Sequence, residues 1–142
     1  MTIQSVDVLY TAVATAENGR DGRVASDDGK LDVVVNPPKE LGGSGAGTNP
    51  EQLFAAGYSA CFQSALGVVA RRSGADITGS RVTARVGLGK TAEGGFGLTV
   101  ELAVSIPAVD AATAQDLVEK AHQVCPYSNA TRGNIAVELT VV

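Results

Sequence analysis

The 142 residues carry 11 Lys and Arg against 15 Asp and Glu, a formal charge of −4, with 44% hydrophobic and 18% charged residues. That length suits one compact domain, residues 1–142, and the composition is that of a folded chain. Scattered basic residues, with Arg71-Arg72 the sole adjacent pair, exclude phosphate binding of the nucleic-acid kind.

Residues 5–16 alternate Val6, Val8, Tyr10, Ala12 and Ala14 against polar neighbours, which predicts a strand. Turn residues at Glu17-Asn18-Gly19 and Arg20-Asp21-Gly22 lead to a short strand near 23–26. Asp27-Asp28-Gly29 is a hairpin turn into a third strand, Leu31 to Val35. Asn36-Pro37-Pro38 breaks the ladder, and Gly42 to Gly47 is expected to be a flexible loop. It has neither the lysine nor the spacing of a nucleotide-binding loop.

A helix is predicted from Pro50 to about Arg72. Asn49 is its cap, Pro50 its first residue, Gln52 completes capping-box spacing, and Ser73-Gly74 is the stop. Its residues are small and apolar nearly all round, the pattern of a buried central helix. No run approaches the roughly 18 apolar residues of a membrane span. Strands follow over 77–89 and 96–106, joined by Glu93-Gly94-Gly95, then a helix from Asp110 to Val124. Cys125-Pro126 opens a short turn or helix, and Ile135 to Val142 is a last strand. This order makes an α+β domain. With no Trp and only 4% aromatic residues its core is thin, and a dimer sharing one core would relieve that.

Few residues here can do covalent chemistry. His122 is the one histidine, and alone on its helix it reads as a surface or capping residue. Two Cys and one His fall short of the four ligands of a structural zinc site, so no metal is expected. The opening MTIQSVDVLY lacks the pattern of a secretory signal, which places the chain in the cytoplasm. In that reducing compartment a cysteine pair is more often catalytic or metal-binding than structural. On the residues alone, a redox pair for Cys61 and Cys125 stands level with two plainer readings taken together, small buried hydrophobes or one structural disulfide.

The flanking motifs weigh on that choice. The stretch Asn49-Pro-Glu-Gln-Leu-Phe-Ala-Ala-Gly-Tyr-Ser-Ala-Cys61-Phe and the block Cys125-Pro-Tyr-Ser-Asn-Ala-Thr-Arg-Gly-Asn134 resemble the organic hydroperoxide resistance (Ohr) branch of the OsmC/Ohr superfamily. So do Tyr10-Thr-Ala, the Asn18-Gly-Arg20-Asp-Gly turn and Pro38-Lys-Glu-Leu-Gly-Gly43, so the likeness covers almost the whole chain. The resemblance implies antiparallel sheets wrapped around a buried central helix in an intertwined homodimer. It implies reduction of fatty-acid and other organic hydroperoxides to alcohols, with Cys61 peroxidatic and Cys125 resolving. Arg20 matches the arginine that activates the thiolate, and Glu51 the carboxylate that orients it. The implied reductant is dihydrolipoamide or a lipoylated protein, with no bound cofactor. The implied partners are a second copy, the hydroperoxide and that reductant, with neither nucleic acid nor membrane.

Those roles are physically coherent. An unperturbed thiol is mostly protonated at neutral pH and burial raises its pKa further, so Cys61 needs a permanent cation nearby. A carboxylate beside a thiolate opposes ionisation, so Glu51 serves by holding Arg20 in a bidentate pair. Glu51 and Cys61 stand roughly 15 Å apart along one helix, which suggests that Glu51 and Arg20 of one chain serve Cys61 of the other. Position alone ranks Cys125, at a helix start, level with Cys61 as the attacking thiol. Leu41, Phe54, Phe62 and Tyr127 flank the reacting residues in sequence and are candidates for an apolar substrate lining. Arg23 is an alternative to Arg20. The rival functions are an OsmC-type peroxidase of broader range and a non-catalytic thiol redox sensor.

Overall fold

The structure, a computed structural model, describes residues 3–142. These form two compact units, one ending at Pro50 and one running from Glu51 to Val142. Strands β1 (Ala14–Glu17), β2 (Gly22–Ser26) and β3 (Asp32–Val35) make an antiparallel sheet in sequence order in the first unit. Asn18 and Gly19 turn the chain between β1 and β2 with φ of 63° and 58°, a left-handed pair that Asn and Gly tolerate best. The Asp21 N–H closes that turn on Asn18 O at 3.2 Å, and Asn18 Nδ2 donates to Asp21 O at 2.8 Å. Arg20 therefore sits, exposed, on a short and tightly bonded hairpin.

Two expectations need correction in this unit. The strand predicted over 5–16 is present only from Ala14, because β2 ends at Ser26, the partner of Ala14. Val6, Val8, Leu9 and Tyr10 lie exposed ahead of it. The glycine-rich segment 42–47 is a bonded loop rather than a flexible one. After a single 3-10 turn at Lys39–Leu41, Gly43 N–H reaches Pro38 O and Gly45 N–H reaches Pro37 O, both at 3.0 Å. Thr48 then bridges Val35 in parallel. A side chain at Gly43 would collide with the Pro37 carbonyl, so this close backbone approach requires glycine.

In the second unit, β4 (Arg81–Lys90), β5 (Phe96–Ser105) and β6 (Val137–Val141) form the other sheet. Here β4 and β5 pair antiparallel, as do both strand pairs of the first sheet, but β5 and β6 pair parallel. A parallel neighbour needs a crossover. That crossover is α2 (Ala111–Val124) followed by α3 (Pro126–Thr131). Asp110 caps α2 by accepting the Thr113 N–H at 2.7 Å, and this holds the Asp110 carboxyl below the usual carboxylate range.

Helix α1 (Pro50–Ser73) ends at Gly74, where φ is 70°. Tyr58, Phe62, Ala65, Leu66, Val69 and Ala70 are buried, a stripe at spacings of three and four. They join Val100, Leu102 and Val104 of β5 and Leu117, Val118 and Ala121 of α2 in one core cluster. The opposite face, with Ala56, Ala60, Gln63 and Ser64, is exposed within this chain. By length and by a mean hydropathy of 1.4 over its most apolar 18 residues this helix reaches the range of a membrane span, although Ser59, Gln63 and Ser64 break any continuous apolar run. Its packed stripe shows why such a sequence arises in a core helix. Leu66 is wholly buried, so Leu66→Ala is expected to lower unfolding free energy by about 3 kcal/mol, measured by urea denaturation.

Candidate functional site

Cys61 lies on α1, half-buried, and Cys125 is completely buried where α2 meets α3. Cys125 belongs to both helix ends. Its N–H bonds Ala121 O at 2.8 Å, finishing α2, and its C=O accepts the Asn129 N–H at 2.9 Å, starting α3. Between them its extended backbone (φ −62°, ψ 124°) turns the chain. The proline at 126 suits the first position of the new helix. The two thiols are free, with Sγ atoms 3.6 Å apart. Burial pushes the Cys61 thiol up from its ordinary value of 9.0, and the backbone N–H of Tyr127 works against this by donating to the sulfur. The neighbouring Cys125 raises it further, first through the hydrogen bond between the two sulfurs and then through charge repulsion.

Around the pair runs a buried polar chain. Tyr58 OH lies 2.8 Å from Ser128 Oγ and 3.1 Å from Thr131 Oγ1. His122 Nδ1 lies 2.8 Å from the same Ser128 Oγ. Burial lowers the pKa of His122, and the charge of Arg132 lowers it further. Sequence reasoning read His122 as a surface or capping residue and passed over Tyr58 and Ser128. Their signal was spacing, for each stands one helical turn from a cysteine.

Phe54, Tyr58 and Tyr127 form an aromatic cluster with ring centroids 5.7 to 6.2 Å apart. Tyr127 OH would lie 2.9 Å from any Cβ at Gly57, so that glycine makes room for the tyrosine ring. Of the apolar candidates, Phe54 is half-buried and Tyr127 is 41% exposed, so both have surface to offer. Phe62 does not. It lies fully within the core cluster, packed where a helix stripe meets the sheet, and the structure assigns it to the core rather than to a ligand surface. Leu41 belongs to the first unit, at the end of the 3-10 turn, and is exposed.

Glu51 stands half-buried in the first turn of α1, where an acid complements the helix dipole. Arg20 occupies the β1–β2 hairpin described above. Arg23, its alternative, reaches to the next strand and grips Asp32 through Nε–Oδ1 at 2.8 Å and Nη2–Oδ2 at 2.7 Å. That pair holds the Arg23 guanidinium charge firmly and the Asp32 carboxyl below its usual range.

The fold is α+β, and its packed helices hold two free thiols 3.6 Å apart. The family model described as "OsmC-like protein" matches residues 42–140. A protein of Xanthomonas axonopodis pv. citri named organic hydroperoxide resistance protein is 56% identical over 94% of this chain and 95% of its own length. The crystal structure of an organic hydroperoxide resistance protein from Elizabethkingia anophelis superposes with TM-score 0.91 at 58% identity, covering 96% of this chain and 98% of that one. That of OhrB from Bacillus subtilis gives TM-score 0.87 at 46% identity, over 95% and 100%. The chain belongs to the OsmC/Ohr superfamily, in its organic hydroperoxide resistance branch.

Proposed function

We propose that this protein is a cysteine-based peroxidase of the cytoplasm that reduces organic hydroperoxides, fatty-acid and alkyl alike, to alcohols. The observation that carries this reading is the free Cys61–Cys125 pair at 3.6 Å in a chain whose relatives are named for organic hydroperoxide resistance. In the first step the Cys61 thiolate attacks the terminal peroxide oxygen. The O–O bond breaks, the alkoxide leaves as alcohol after taking a proton, and Cys61 becomes a sulfenic acid. Cys125 then attacks that sulfur, water leaves, and a Cys61–Cys125 disulfide forms. Two thiols of dihydrolipoamide, or of a lipoylated protein, reduce the disulfide by exchange and become lipoamide disulfide.

Attack by Cys61 is favoured over attack by Cys125 because Cys61 keeps some exposed surface and receives the Tyr127 N–H, whereas Cys125 has no exposed surface. Its raised pKa calls for a cation, and Arg20 is the proposed source. Glu51 orients Arg20. Phe54 and Tyr127, with Leu41, favour an alkyl substituent over a bare hydroperoxide. The working form is a homodimer in which both units serve one OsmC/Ohr-like domain. Ile3, Val6, Val8, Leu9, Tyr10, Val13 and Val34 are all exposed in the single chain, apolar surface that a second copy would cover.

The test is peroxide consumption by catalytic amounts of protein with dihydrolipoamide as reductant. We expect turnover of a tertiary-alkyl hydroperoxide with kcat/KM about 10²-fold above that for hydrogen peroxide. Equal rates would favour a peroxidase of broader range. No turnover with any dithiol would leave a thiol redox sensor.

A further inference from the structure

We propose that His122, Ser128 and Tyr58 are positioning residues that hold Cys125 against Cys61 and thereby set how readily the pair closes to a disulfide. The proposal deepens the reading above, resting on it only for the order of the two chemical steps.

The hydroxyl chain has a single self-consistent direction. Thr131 Oγ1 donates to Ser128 O at 3.1 Å, which uses its one proton. Toward Tyr58 it can therefore only accept, so Tyr58 OH donates to it at 3.1 Å. Tyr58 OH then accepts from Ser128 Oγ at 2.8 Å. Ser128, its proton used, accepts from His122 Nδ1, also at 2.8 Å. The imidazole is thereby fixed with its proton on Nδ1, and the chain runs from His122 through Ser128 and Tyr58 to Thr131. No buried side-chain polar atom among the described residues lacks a partner.

Its placement gives the chain its purpose. Tyr58 is one turn before Cys61 on α1, and Ser128 is one turn after Cys125 on α3, so the Tyr58–Ser128 bond ties the two helices beside the thiols. His122 adds the last turn of α2, three residues before Cys125. Arg132 Nη2 seals the arrangement by donating to His122 O at 2.7 Å. A helix as short as α3, with six residues, has little stability of its own, so its position depends on such ties. The stakes are geometric. The sulfurs must close from 3.6 Å to about 2.05 Å, and they can do so only if the backbone around Cys125 stays in place. A sulfenic acid that waits for its partner meets a second peroxide and becomes sulfinic acid.

The experiment has two arms on the full-length protein. In the first, the Cys61–Cys125 disulfide is equilibrated against glutathione buffers, which reads the effective concentration of one thiol at the other without any peroxide. Tyr58→Phe and Ser128→Ala are expected to lower it about tenfold. His122→Leu should do the same, whereas His122→Asn, whose amide N–H can replace the Nδ1 donor, should recover most of the loss. In the second arm, one equivalent of alkyl hydroperoxide should be consumed at the wild-type rate by every variant. The sulfinic form of Cys61 should then appear at about tenfold lower peroxide than in the wild type. Wild-type effective concentrations in Tyr58→Phe and Ser128→Ala would overturn the positioning role even if peroxidase activity were intact. Absence of peroxide consumption by the wild type in the second arm would overturn the enzymatic reading and leave the first arm decisive for the geometry.

Discussion

Cys61→Ser is expected to abolish peroxide consumption, while Cys125→Ser consumes about one equivalent per subunit rapidly, about two more slowly as its sulfenic acid over-oxidises, and does not turn over. The asymmetry follows from the two environments. Cys61 keeps surface and has the Tyr127 N–H on its sulfur, so it can meet a peroxide and hold a negative charge. Cys125 is sealed between α2 and α3 with its sulfur against that of Cys61, a placement suited to capturing an oxidised Cys61. Without Cys61 the one remaining sulfur is that of Cys125, which has no exposed surface, and a serine hydroxyl is far too weak a nucleophile at neutral pH to substitute. Without Cys125 the first step is intact, but the sulfenic acid has no internal partner and advances to sulfinic and sulfonic acid as peroxide is added. The measurement is stopped-flow consumption of an alkyl hydroperoxide, with the mass of the intact protein read at each equivalent. Loss of the first equivalent in Cys125→Ser, with Cys61→Ser still reactive, would reverse the two roles.

Much of this arrangement is legible in the sequence, for identifiable reasons. Pro50 and Gly74 bracket α1, Asp110 announces α2, and Cys125-Pro126 announces α3, because helix ends must satisfy or dispense with particular backbone groups. The two cysteine motifs point to the superfamily. What the sequence hides is long-range. The parallel pairing of β5 with β6 follows from a crossover whose path no local pattern records. Val6, Val8 and Tyr10 keep strand periodicity although no strand among the described residues pairs with them, since alternation specifies two faces but not a partner. Phe62 looks like a lining residue because it follows Cys61, yet on a helix the next residue points about 100° away, here into the core. The Tyr58–Ser128 bond joins residues 70 apart, beyond the reach of spacing rules.

Mixed dimers test the proposed sharing of residues between subunits, and their expected outcome separates two arrangements cleanly. Arg20→Ala alone should lower kcat/KM at neutral pH by about 10²-fold. Burial and Cys125 already hold the Cys61 thiol above 9.0, so without the guanidinium its thiolate fraction is small at neutral pH. That fraction, and the rate with it, should then climb about tenfold per pH unit as pH rises toward the elevated pKa. If Arg20 of a partner subunit lowers that thiol, as proposed, the wild type should reach its plateau at lower pH than Arg20→Ala does. Now let an Arg20→Ala subunit be paired with a Cys61→Ser subunit through two different affinity tags. If the arginine serves the cysteine of the partner subunit, one site of this heterodimer combines an intact Cys61 with an intact Arg20, while the other lacks both. About half the wild-type activity should return, with the wild-type pH profile. If each subunit uses its own arginine, one site lacks Arg20 and the other lacks Cys61, and activity stays near the Arg20→Ala level. The same exchange with Glu51→Gln in place of Arg20→Ala places the carboxylate, which should behave as Arg20 does if, as proposed, it holds that guanidinium.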